Sequence, residues 1–171
     1  MCYYDLIYFA DKNFNCRLED SEILTGERKF VIRNLEENKM ISGLIPLGGD
    51  YQAKNMQTLF QSFICLKRIF KISEKNLLDG IKKVIVNTGL TGRWQILKTN
   101  PLTICDTGHN KEGLEYVMKQ ISRVPSTGVH MIIGFVSDKD LSTILPLFPR
   151  HARYYFTKAS VQRALDEKVL K

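Results

Sequence analysis

The sequence predicts an α/β protein in two unlike parts: short strands leading into two helices, then strands alternating with helices around a mostly parallel sheet. Three observations predict it. Between Tyr4 and Leu47 the runs "YDLIYFA", "KFVIR" and "MISGLIPL" have strand character and are separated by polar stretches such as "LEENK". From Tyr51 to Phe70 the apolar residues Met56, Leu59, Phe60, Phe63, Ile64, Leu66 and Phe70 recur at the three-and-four spacing of one buried helical stripe. Beyond Trp94, apolar and β-branched runs each precede a helix-like segment.

The elements follow in chain order. The early strands predict a small sheet. The helix that begins after "GGDY" has Asp50 as a candidate N-cap, and a second helix starts at Ser73, whose hydroxyl suits that role, and stops at Gly89. "NTGLTGRW", with Gly89 and Gly92 close together, reads as a hinge or linker. After it, strand "LTICD" leads to helix "KEGLEYVMKQIS", strand "VHMIIGFV" to helix "DLSTILPLF", and strand "ARYYFTKA" to a last helix starting near Val161. Alternation of this kind implies right-handed crossovers and a parallel sheet whose ligands gather at the carboxyl ends of the strands.

Bulk properties exclude several classes. With 171 residues, 44% of them hydrophobic, the chain is long enough for a real core and too apolar for general disorder. No run approaches the roughly 18 apolar residues of a membrane span, and Tyr3, Tyr4 and Asp5 do not form the basic start of an export signal. Cys2, Cys16, Cys65 and Cys105 are scattered without a C-x-x-C pair, which argues against a zinc ribbon or disulfide framework and for a reducing cytoplasm. The net charge of +7 invites a nucleic-acid reading, but the basic residues are interleaved with acids, as in "KISEKNLLDGIKK". No nucleic acid or membrane partner is expected; an anionic small molecule such as a nucleotide accounts for the surplus equally well.

Four stretches gather polar groups at element ends. "DTGHN", Asp106 to Asn110, sits where a strand gives way to a helix, so its side chains can converge on a ligand beside free helical N–H groups; equally, Asp106 or Asn110 could simply cap that helix. "GRW", Gly92 to Trp94, offers in Arg93 a planar fork suited to phosphate, or a stacked pair that locks the linker. In "GGDYQAKN", Gln52 and Asn55 lie on one helical face, where two amides can read the polar edge of a base. "SDKD", Ser137 to Asp140, follows another strand, with Ser137 or Asp138 the candidate cap.

In order, "GDYQAKN", "TGLTGRWQIL", "PLTICDTGHN", "GFVSDKD" and "YYFTKASVQRALD" closely resemble the folylpolyglutamate synthase / dihydrofolate synthase family, a branch of the Mur ligases, from about Tyr8 to the C-terminus. The resemblance implies a division into the last part of a Mur-ligase-type ATPase domain (residues 1–88), a linker (89–93) and a Rossmann-like glutamate ligase domain, incomplete at its end (94–171). It implies ATP-dependent joining of L-glutamate to dihydropteroate or folate through an acyl phosphate, with Mg2+ as cofactor and the parent enzyme a monomer. Residue by residue it puts Gln52 and Asn55 near adenine and Arg93 at the ATP phosphates. It puts Asp106 at the ribose and in domain closure, and His109 near the phosphates and the reacting carboxyl. Lys111 stands where many members have proline. No G-x-x-x-x-G-K-[ST] phosphate loop occurs in the 171 residues, so the chain by itself is expected to be inactive. The competing expectation is a stand-alone nucleotide-binding or interaction module without catalysis.

Overall fold

The computed structural model describes residues 7–19 and 26–170, and the chain forms two compact units, residues 1–107 and 108–171. In the first unit a short helix, α1 (Ala10–Asn13), leads into three antiparallel strands in the order β1 (Phe14–Leu18), β2 (Arg28–Asn34), β3 (Met40–Ile45). Strand β2 explains the register: Arg28, Phe30 and Ile32 are buried while Lys29 and Arg33 are exposed, the two-residue alternation of a sheet with one covered face. Its pairing sets Phe30 opposite Leu18 on one side and Gly43 on the other.

The cover is α2 (Gln52–Lys67). Met56, Phe60 and Phe63 form its buried stripe, and Met56 and Phe60 join Phe14, Phe30, Ile32, Ile45, Leu47 and Ile81 in the core. The Phe30 and Phe60 rings meet edge to face at 6.1 Å. Helix α3 (Glu74–Lys82) begins at Ser73 with the predicted cap, reinforced by Asn76 into a reciprocal capping box. Helix α4 (Val84–Thr88) follows and stops at Gly89, which takes the left-handed conformation, φ 66°.

Strands β4 (Gln95–Thr99) and β5 (Leu102–Cys105) close the first unit as an antiparallel hairpin. The sequence reading had β5 entering a parallel sheet. Instead, only Asn100 and Pro101 separate it from β4, and a connection that short forces the two strands to run oppositely.

The second unit holds α5 (Lys111–Ile121), β6 (His130–Ile133), α6 (Leu141–Ile144) and β7 (Arg153–Phe156). Here β6 and β7 pair in parallel, joined by the expected helical crossover, and theirs is the parallel pair among the described residues. Leu114 and Val117 of α5, Met131 and Ile144 are its buried hydrophobic residues. Phe148 packs against Phe135 and Tyr154 with ring separations of 6.2 and 6.3 Å.

Two expectations need correction. The last helix near Val161 is absent: residues 161–163 turn, Ala164 bridges back to Val136, and only a short 3-10 segment, Glu167–Leu170, follows. Ser137 and Asp138 do not cap α6; Asp140 does, accepting from the Ser142 amide at 3.0 Å. The first predicted strand, "YDLIYFA", lies partly outside the described residues, and its described part runs into α1 without forming a strand.

Candidate functional site

In the first unit, the loop before α2, the segment before β4 and the end of β5 meet around Asp106. The loop comes first. Arg28 is 7% exposed, and its guanidinium donates to the Glu19 and Gly48 carbonyls and pairs with Asp50 at 2.9 Å. Asp50 is therefore an ion-pair partner and not the helix cap the sequence suggested; Tyr51 occupies the cap position, with no side-chain cap bond. Gly48 and Gly49 make the loop possible. A Cβ on Gly48 would sit 2.7 Å from the Trp94 indole, and one on Gly49 would sit 2.5 Å from the Tyr51 ring.

This loop delivers three polar side chains. Gln52 is buried, and Asn55 donates its amide hydrogen to the Gln52 carbonyl at 2.8 Å. Their expected sharing of one helical face is observed, with Asn55 the exposed member. Tyr51 turns the other way, and its hydroxyl donates to Asp106 Oδ2 at 3.0 Å.

The same oxygen accepts the Trp94 backbone N–H at 2.7 Å. Trp94 has φ 53°, a left-handed backbone that a bulky residue adopts only when its surroundings hold it there, and its side chain is 3% exposed. Asp106 is thus neither a helix cap nor a plain surface acid. The cap of α5 is Asn110, which accepts from the Gly113 amide at 2.8 Å.

Arg93 lies beside this pair. Its guanidinium donates to the Thr107 hydroxyl and, at 3.4 Å, to the Gly92 carbonyl. Thr107 in turn donates its amide and hydroxyl to Gly92 O at 2.9 and 3.0 Å, while the Gln95 side chain accepts from the Gly92 amide at 2.9 Å. Gly92 is buried with φ 68°, so the segment read as a linker is bonded to the end of β5, which explains why the first compact unit runs on to Thr107.

Electrostatics ties these groups together. The Tyr51 phenol is held well above its ordinary range, chiefly by burial and then by the Asp106 charge and hydrogen bond, while Arg93 pulls the other way. Beneath Arg93 and Trp94 lies a cavity of about 250 Å³ lined by Leu47, Ile85, Leu90 and Ile96 among others. A larger open groove of about 870 Å³ along α1 and α2, past Phe9, Lys54, Gln57 and Gln61, holds none of the predicted site residues.

Of those residues, Gln52, Asn55, Arg93 and Asp106 belong to the first unit and His109 to the second, where it is exposed just before the Asn110 cap. Sequence reasoning missed Tyr51, Thr107, Arg28 and the Trp94 amide. For Tyr51 the signal was its place between Asp50 and Gln52; for a backbone N–H there was none.

No protein-family model matches the chain. Over 89 residues, 52% of its length, it is 34% identical to a dihydrofolate synthase/folylpolyglutamate synthase of Buchnera aphidicola. The chain is similar to members of the folylpolyglutamate synthase / dihydrofolate synthase family. It spans only 21% of the Buchnera enzyme's own length. Among solved structures, E. coli FolC in complex with DHPP and ADP matches 92% of the chain with a TM-score of 0.61 at 22% identity, the chain covering 34% of it. A bifunctional folylpolyglutamate synthase/dihydrofolate synthase with Mn, AMPPNP and L-glutamate bound matches 91%, with a TM-score of 0.61 at 18% identity and 34% of its chain covered. These likenesses carry the α/β fold of the synthase family.

Proposed function

We propose that the chain forms part of an ATP-dependent ligase that joins L-glutamate to dihydropteroate or a folate through an acyl phosphate. The observation that carries this is the Asp106 carboxylate, which accepts from both Tyr51 and the Trp94 amide, with Gln52 following Tyr51 directly, Asn55 bonded to Gln52, and Arg93 adjoining Trp94. Those are the positions the family likeness singles out for a nucleotide.

On this reading Gln52 and Asn55 face adenine, Asp106 takes the ribose hydroxyls, and Arg93 and His109 serve the phosphates. A guanidinium has five N–H donors, and Thr107 and Gly92 engage only one nitrogen of Arg93, so the fork can hold a phosphate oxygen while still anchored. A substrate carboxylate oxygen attacks the γ-phosphorus and ADP leaves. The glutamate amine then attacks the acyl carbon, and the tetrahedral intermediate expels phosphate as the nitrogen loses its proton. The transferring group spreads charge over its oxygens, so a fixed cation placed there stabilises the transition state.

The family likeness also implies a divalent metal, Mg2+. Among the described residues no group of three His, Cys, Asp or Glu side chains could hold one, so the metal finds no home among them and no step here runs through it. With no phosphate loop in the 171 residues, the lysine and hydroxyl that grip a triphosphate must come from elsewhere in the ligase. Among the described residues no helix is long and apolar enough to cross a membrane.

The test is a titration of the 15N-labelled chain with ADP. Saturable shifts at Gln52, Asn55 and Arg93, weaker with GDP, are expected; shifts equal for both bases, or none, reject the assignment. The chain alone should release no ADP from ATP in the presence of L-glutamate and a folate, and detectable release contradicts that part.

A further inference from the structure

We infer that Tyr51 is a positioning residue of this site: its hydroxyl, with the Trp94 amide, fixes the Asp106 carboxylate in the one orientation that meets a nucleotide's ribose hydroxyls. The inference rests on the nucleotide reading above and adds a residue that the family motif does not assign.

The argument is geometric. Both donors converge on Oδ2, at 3.0 Å from the tyrosine and 2.7 Å from the amide. A carboxylate with one oxygen held from two directions cannot turn about its Cβ–Cγ bond, so the direction of Oδ1 is set as well. Charge-assisted hydrogen bonds of this kind are short and directional.

Tyr51 is itself held. Its ring lies over Gly49, where a Cβ would come within 2.5 Å, and the residue before it is clamped by the Arg28–Asp50 pair. Because Tyr51 directly precedes Gln52, the base-side amides and the ribose-side carboxylate share one short rigid connection. Phenylalanine in its place keeps the ring packing and deletes only the bond to Asp106.

Binding of ADP and of 2′,3′-dideoxy-ADP to the 171-residue protein, followed by NMR titration, tests this. Tyr51→Phe should weaken ADP about tenfold, the effect of one hydrogen bond to a charged group, and leave the dideoxy nucleotide unaffected. In an Asp106→Ala background Tyr51→Phe should cost ADP affinity nothing further. Equal weakening of both nucleotides shows a merely structural tyrosine and overturns the inference. So does a loss of ADP affinity with Asp106→Ala but none with Tyr51→Phe, which leaves the nucleotide reading standing. Absence of saturable ADP binding to the unmodified protein overturns both.

Discussion

Adding one methyl group at Gly48 should unsettle the whole Asp106 cluster. In Gly48→Ala the new Cβ would lie 2.7 Å from Trp94 Cδ1 and 3.2 Å from the carbonyl oxygens of Gly26 and Trp94. The indole is 3% exposed, so it can give way only by repacking against its neighbours, and the two oxygens belong to backbone. Overpacking of this kind costs about 1–3 kcal/mol. Gly80→Ala is the matched control. It lies within α3, nothing stands within 4 Å of its added Cβ, and removing glycine from a helix interior gains about 0.5–1 kcal/mol. The two variants should therefore sit on opposite sides of the unmodified protein, roughly 1.5–4 kcal/mol apart. Urea unfolding with linear extrapolation resolves that gap. In a thermal melt each kcal/mol moves the midpoint of a chain of 171 residues by about 2–4 °C. Gly48→Ala should also shift the Trp94 amide resonance, because displacing the indole pulls that N–H from Asp106. A Gly48→Ala protein at least as stable as the original would refute the packing argument.

Asp50→Ala leaves the Arg28 guanidinium, its side chain 9% exposed, without its carboxylate. The Glu19 and Gly48 carbonyls remain as partners, so the expected loss is at the low end of a broken buried pair, about 3 kcal/mol, read by urea unfolding. Burial pushes the Cys16 thiol from 9.0 up to about 11. The unfolded thiol ionises first, so the stabilisation is whole below about pH 9 and lost as pH rises through about 11. Cys16→Ala should flatten that part of the pH–stability curve, and an unchanged slope excludes the assignment. In an intact ligase carrying this segment, Arg93→Ala and His109→Ala should each lower kcat about a hundredfold with little change in stability, since Arg93 is only half-buried and His109 is exposed. Steady-state assays showing unaltered turnover would remove those roles.

Legibility tracked the range of the interactions involved. Helix α2 was readable because Met56, Phe60 and Phe63 carry their period within the segment, and Ser73 because a cap needs partners only three residues away. The strand character of "KFVIR", within β2, was legible for the same reason. The last helix failed because local helical spacing near Val161 yields to pairing between Val136 and Ala164, which lie far apart in sequence. Asp50 was misread likewise: capping is a local guess, whereas its partner Arg28 is 22 residues away.

The sequence by itself determined the class of the fold, where α2 and α3 begin, and the candidates Gln52, Asn55, Arg93, Asp106 and His109, because residue type and short-range spacing carry that information. Only the tertiary structure decided that Asp106 is gripped by Tyr51 and Trp94, that Gly92 is tied to Thr107, and that β5 runs against β4. Those outcomes depend on which backbone groups a folded chain brings within 3 Å of one another. A peptide N–H is the same at nearly every residue, so no letter of the sequence marks the one that a carboxylate will find.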